Sequence, residues 1–198
     1  DFTTIRGIGG GRLTQTNFSD SELERANFSG LALNMSDFER ANLEKAQFVG
    51  ASLLHTNINN TCLRGANFTG ANLGNANMAT ADGLERVIFN NATMSGVIIM
   101  DGEVKECSFI GVKDILSVNG TSFKDTDLVG IRFVDKEALA DCTFSRRTDL
   151  SGITYSGTFG EKSKVNLDTL IFEGANLTDA TAEMGSFVGT NFDRAIMT

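Results

Sequence analysis

An alanine–asparagine pair followed by phenylalanine or leucine recurs at multiples of five residues in Ala26-Asn27-Phe28, Ala41-Asn42-Leu43, Ala66-Asn67-Phe68 and Ala71-Asn72-Leu73, and returns out of phase at Ala175-Asn176-Leu177. A helix repeats about every 3.6 residues and a strand every two, so this period fits neither in its ordinary form. A fixed repeat points instead to a solenoid. Large apolar residues keep the beat at Ile8, Leu13, Phe18, Leu23, Phe28, Leu33, Phe38, Leu43, Phe48, Leu53, Ile58, Leu63, Phe68, Leu73 and Met78.

Two places before most of these stands a small residue, such as Ser21, Ala26, Ala41, Ala46, Thr56 or Ala66. Residues two apart on extended chain point the same way. Each unit therefore sends one large and one small side chain inward, and the chain turns before the next pair. Gly, Asn, Asp and Ser fill many remaining slots, which is turn chemistry. A coil of four units stacks Phe28 on Phe48 and Phe68, Leu23 on Leu43 and Leu63, and Leu33 on Leu53 and Leu73. A fifteen-residue coil would stack Phe on Leu, and a ten-residue coil would mix Ile58 and Met78 into the Phe column. Four units keep the columns most uniform, with rungs about 4.8 Å apart.

With that pattern in view, the chain resembles the pentapeptide-repeat family, whose motif is A-(D/N)-L-x-x. The run from Ile8 to Met78 carries the motif most clearly, and the resemblance covers most of residues 6–198. It implies an all-β fold, a right-handed quadrilateral parallel β-helix. About ten coils at that rise give a rod roughly 45 Å long.

The phase slips near Asp82-Gly83-Leu84 and resumes at Phe89, Met94, Ile99, Val104 and Phe109. It is lost over 112–118, where a short helical or looped insert is expected, and resumes at Phe123. Further irregular inserts are expected near 134–140 and 156–165, within a single domain spanning 1–198. A stacked core cannot absorb insertions, so they bulge outward.

The chain contains no proline, as expected if nearly every rung donates backbone hydrogen bonds. It begins at Asp1 and stops on a repeat without a visible cap, which fits a neighbouring domain or end-to-end dimerisation. No apolar run approaches a membrane span. Cys107 and Cys142 fall in the small inward slot and Cys62 in an outward one; a free surface thiol slightly favours a reducing cytoplasm. Asn-x-Ser/Thr sequons recur, but the repeat writes them by itself.

Chemistry is thin. His55 is the lone histidine and points outward, no carboxylate pair or Cys/His cluster has catalytic or zinc spacing, and the glycines near Gly9 lack the Lys-Ser/Thr of a phosphate loop. No catalytic, cofactor or metal residue is expected. Seventeen basic and twenty-five acidic residues give a net charge of −8, which disfavours direct nucleic-acid binding. The outward slot before the large residue reads as a row of amides, and acids alternate with bases. The outward apolar residues Ile98, Met100, Ile110, Met35 and Leu54 are the expected protein interface.

The leading expectation is a non-catalytic scaffolding module that binds another protein, with a homodimer through an open coil end as a further partner arrangement. The resemblance implies two alternatives. One is a DNA mimic that binds bacterial type II topoisomerase (gyrase). The other is an accessory domain of a larger secreted effector such as a ubiquitin ligase.

Overall fold

The computed structural model describes residues 12–78, 84–97, 99, 103–115, 118, 121–133, 139, 142–145, 148–155, 158–159, 170–178, 181–182 and 187–197. Through the first of these stretches every parallel bridge joins a residue to the one twenty places on: Asn17 to Asp37, Glu22 to Asn42, Asn27 to Gln47, Ala32 to Ser52. Twenty residues are four pentapeptides, so the coil is a square. Each side contributes one bridged residue, flanked by two hydrogen bonds to the next coil. The Leu23 N–H donates to the Asn42 carbonyl at 2.8 Å, and the Asn42 N–H donates back to the Ser21 carbonyl at 2.9 Å.

The corners follow from backbone sterics. The Ala26 N–H donates to the Leu23 carbonyl at 3.0 Å, closing a four-residue turn. Its third residue, Arg25, has φ of 60°. A positive φ confined to that place is the signature of a type II turn. The same geometry recurs at Asp20, Met35, Arg40, Lys45, His55 and Asn60.

The lumen holds four columns of large side chains. Phe18 stacks on Phe38 at 4.8 Å between ring centroids, Phe28 on Phe48 at 5.0 Å, Phe48 on Phe68 at 4.8 Å and Phe89 on Phe109 at 4.8 Å. Rings of different columns meet edge to face, as Phe38 and Phe48 do at 5.8 Å and 89°. Walls are numbered here by these columns: Phe18 and Phe38 belong to the first, Leu23 and Leu43 to the second, Phe28 and Phe48 to the third, Leu33 and Leu53 to the fourth.

The second inward slot of each unit is most often alanine or a small hydrogen-bonding residue, with larger Leu31, Val87, Val97, Ile131 and Ile153 buried in the same place. The hydroxyls of Ser36, Thr56 and Thr126 donate to the carbonyls of Leu13, Leu33 and Val104 in the coil before. The thiols of Cys107 and Cys142 do likewise, to Leu84 at 3.0 Å and Val118 at 2.9 Å. A carbonyl has two lone pairs, and the Leu33 oxygen uses its other one in the corner turn to the Ser36 N–H. Burial pushes the Cys107 thiol up to about 12, so it stays protonated and inert. Native protein treated with iodoacetamide is therefore expected to lose only the exposed Cys62 thiol. All three should react in denaturant, and mass spectrometry counts the adducts.

Beyond 78 the walls continue with altered spacing. Six short strands mark where pairing extends: β1 (Leu84–Glu85), β2 (Glu103–Lys105), β3 (Ser122–Lys124), β4 (Thr143–Phe144), β5 (Thr158–Phe159) and β6 (Thr181–Ala182). The first four form one parallel sheet, β1-β2-β3-β4, on the second wall, and β5 pairs with β6. The bridge Asn67–Ile88 spans twenty-one residues, Ser108–Asp127 nineteen, Asp127–Asp149 twenty-two and Ile171–Asn191 twenty. Each change is absorbed between bridged walls, and the lumen stays filled by Phe89, Val104, Phe109, Phe123, Leu128, Leu150 and Phe172. Across 112–118, where an insert is expected from the sequence, the coil is one residue shorter than the standard twenty, with Val112, Ile115 and Val118 buried. No helix occurs among the described residues.

Candidate protein interface

The outer surface is built from three residues per unit: one in the middle of the wall and two at the corner. The wall residue is commonly Asn or Asp because its side chain caps the turn that follows. The Oδ1 atoms of Asn17, Asn27, Asp37, Asn42, Asn57 and Asn67 accept from the backbone N–H two residues on, at 2.8–3.2 Å. Their amides are free to reach along the rod: Asn42 Nδ2 donates to Glu22, Asn57 to Asp37 and Asn67 to Gln47. One residue type thus closes its own corner and ties two coils.

Where serine replaces the amide in the wall, the coil below supplies the cap. Asn34 Oδ1 accepts from the Leu54 N–H at 3.1 Å and from the Ser52 hydroxyl at 2.7 Å. Asn90 does the same for Ile110 and Ser108, at 3.1 and 2.7 Å. Two of the sequence-derived interface residues, Leu54 and Ile110, are therefore carried on corners held from both sides.

Met35 is 57% exposed and Ile110 42%, whereas Leu54 is half-buried. Leu54 leans over Gly74: a β-carbon there would come within 2.9 Å of its Cδ2. The Met35 N–H donates to the Leu54 carbonyl, placing these two on consecutive coils at the corner between the fourth and first walls. Ile110 follows Phe109 and lies on the next corner round, between the third and fourth walls. Ile98 and Met100 lie outside the described residues. Sequence reasoning passed over Val49 and Ile88, both exposed beside the third wall. The available signal was an isoleucine in the slot that Asn67 fills one coil earlier. The coil at 187–197 also leaves Val188, Ile196 and Met197 exposed.

Charge is concentrated at one corner. Between the second and third walls, Arg64 contacts Glu85 at 3.0 Å, Arg86 contacts Glu106 at 2.7 Å, and Lys105 contacts Glu85 at 3.4 Å. Glu44 pairs with Lys45, and Lys124 with Glu103. At another corner Arg40 grips Asp20 with two bonds of 2.7 and 2.8 Å. These bonds hold the carboxyls of Asp20, Glu44 and Glu106 below their ordinary range and raise Lys105. Neighbouring coils thus offset one another's charge.

The corner between the third and fourth walls is different. Its left-handed position is glycine at Gly30, Gly50, Gly70, Gly111, Gly130, Gly152 and Gly174, with Asn91 and Arg194 as exceptions. The other corners use glycine there only at Gly65, Gly96 and Gly189 among the described residues. On the adjacent third wall Asp127 is bridged to Asp149. Burial, then the Asp149 charge, raises the Asp127 carboxyl above its usual range. The folded state therefore binds that proton more tightly than the unfolded chain, so stability falls as pH climbs from the ordinary Asp range through the raised value. Asp127→Asn is expected to melt higher than the parent at pH 7, by well under about 1 kcal/mol given solvent screening. The advantage should vanish below about pH 3.5, under the ordinary aspartate value, and paired thermal melts check it.

No group of three His, Cys, Asp or Glu side chains among the described residues is placed to hold a metal ion. No described helix is long and apolar enough to cross a membrane. The architecture is a β-solenoid with square coils. More narrowly, the chain is a pentapeptide-repeat protein: the pentapeptide-repeat family model matches eight copies over residues 10–40, 33–70 and 61–101. Its fold is the right-handed quadrilateral β-helix.

Solved structures similar to it include a pentapeptide-repeat protein from the Arabidopsis thaliana thylakoid lumen, at 27% identity and TM-score 0.36, over 58% of this chain and 65% of that one. The chain thus spans just under two thirds of that relative. HetL, involved in heterocyst differentiation regulation in the cyanobacterium Nostoc, is 19% identical at TM-score 0.33, over 97% and 91%. QnrB1, a plasmid-mediated fluoroquinolone resistance protein, is 16% identical at TM-score 0.31, over 96% and 84%. No curated protein matches.

Proposed function

We propose that this chain is a non-catalytic protein-interaction module, one solenoid domain that presents apolar side chains from a rigid rod. The observation carrying this reading is the exposure of Ile110 and Met35 on corners whose backbones are hydrogen-bonded to neighbouring coils. Binding there needs no ordering of the backbone, and exposed apolar surface is what a protein partner covers. Ile98, Met100 and Leu54 complete the proposed surface, and the exposed residues of the 187–197 coil offer a second copy a place to stack. Neither nucleic acid nor membrane is among the proposed partners.

Immobilised protein is expected to retain a defined partner that Ile110→Asp or Met35→Asp releases with the melting temperature unchanged. A retained set identical across parent and both variants would sink the reading. The gyrase-mimic alternative needs dense charge of one sign along the rod, and the cross-coil ion pairs speak against it. Undiminished DNA supercoiling at micromolar protein is the expected result; inhibition would favour the mimic. The accessory-domain alternative is tested by sequencing the parent gene on both sides of this segment.

A further inference from the structure

Glycine at a left-handed corner relieves backbone strain, but that reason applies equally to all four corners. The others carry Gln15, Asp20, Arg25, Met35 and Lys45 at the same φ. Nor does internal packing demand most glycines of the corner between the third and fourth walls: a β-carbon on Gly30, Gly50, Gly70, Gly130 or Gly174 would meet nothing within 4 Å, one on Gly152 only ordinary contacts, and Gly111 alone would press on its neighbour, the Asn91 Oδ1 at 2.7 Å. A left-handed row that is glycine at seven of its nine described places points to something outside the coil. The other corner residue there is uncharged through the middle of the rod, with Ile110 and Val129 stacked on consecutive coils.

At the coil of Val129 the flanks of this ridge are of opposite sign. Within one coil the outward order is Asp127, Val129, Gly130, Arg132, with the acid on the third wall and the base on the fourth. Neither charge has an ion-pair partner among the described residues, in contrast to the paired ridge beside it. Acid, apolar and base residues lie side by side in this coil, with Asp149 extending the acid flank and Lys113 the base flank by one coil each, and such a surface can match itself. A two-fold axis parallel to the rod brings two such corners together with the rods parallel. It sets Asp127 of each copy opposite Arg132 of the other, on the same rung. A two-fold across the rods would instead oppose acid to acid. Isologous pairing of this kind is the commonest oligomer symmetry.

We propose that a second copy of this chain packs side by side along this corner, rods parallel. Ile110 and Val129 form the dry centre, and two reciprocal Asp127–Arg132 pairs form the rim. Two convex corners share less than the roughly 1,200–2,000 Å² of a stable complex, so the dimer is weak and concentration-dependent. The bare glycines let the backbones approach, and the long arginine spans the opening wedge.

Sedimentation velocity over rising protein concentration tests this. The parent is expected to shift from monomer to dimer, less readily at high salt. Asp127→Arg or Arg132→Asp alone should weaken association at least ten-fold, and the double exchange should regain most of it. A chain monomeric at every concentration, single variants that associate like the parent, or a double exchange that does not recover would each overturn the proposal. Ile110→Asp, at an exposed position, carries the same test if a charge variant fails to fold: it should be monomeric, and undiminished association would overturn the idea. The result does not depend on a heterologous partner, so a failed pull-down and a failed dimer are distinguishable.

Discussion

Replacing Phe48 by alanine is expected to cost about 3–5 kcal/mol of unfolding free energy, the range for deleting a buried aromatic ring. The ring is 1% exposed. It lies between Phe28 at 5.0 Å and Phe68 at 4.8 Å, with Phe38 meeting it edge-on at 5.8 Å. The upper half of the range is expected, because the walls cannot collapse into the void. Coil spacing is fixed by backbone bonds on every side, such as Phe48 N–H to the Asn67 carbonyl at 2.8 Å. Urea denaturation measures the loss. Val49→Ala, one residue on but exposed, is the control and should stay within about 0.5 kcal/mol. A Phe48 variant as stable as that control would mean the lumen is not where the phenylalanines pack.

The lumen was legible in the sequence because two patterns coincide. Large residues five apart fix the coil, and the small residue two places before each fixes which side faces in. That pair of constraints survives the register changes: Phe89, Val104 and Phe109 are buried on the far side of one, with Cys107 in the small slot. The amide rows were legible as a rung-to-rung ladder. Their second role was not, because capping a corner is a local geometry with no periodic signature. It explains why Asn27 stands where its Oδ1 takes the Ser29 N–H, whatever its neighbours along the rod do.

The interface was less legible, for a physical reason. Exposure of a corner residue depends on the side chain in the next coil, some twenty places away and often beyond a change of register. Leu54 reads as outward, yet the missing side chain at Gly74 gives it a place to fold down. Met35 and Ile110 read as parts of one outward apolar class, and the coil phase puts them on adjacent corners. Ile88 sits in an amide slot only once the extra residue before Leu84 has been assigned. The bare corner emerges only when glycines from seven coils are aligned wall by wall.

The absence of proline has a sharper consequence at Asn42, where proline is expected to destabilise the rod by about 2–4 kcal/mol. The Asn42 N–H donates to the Ser21 carbonyl at 2.9 Å. Losing it and stranding that carbonyl is worth about 1–3 kcal/mol. Proline also removes the Oδ1 cap on the Glu44 N–H and the Nδ2 bond to Glu22, together about 1 kcal/mol more. Asn42→Ala isolates that last part and should lose only about 1 kcal/mol. Glu24→Pro makes the opposite point. Glu24 is the second residue of its type II turn, a place where proline is favoured, and no bond of its N–H is present to lose. It should fold with little change, whereas the equivalent places at Ser19, Ser29, Glu39, Glu44, Asn59 and Thr69 all give their N–H to a capping side chain. The slot that type II geometry leaves open to proline is thus closed by the Asn and Asp caps. Equal losses at Asn42→Pro and Glu24→Pro in the same urea titration would show that lost hydrogen bonds do not govern where this chain excludes proline.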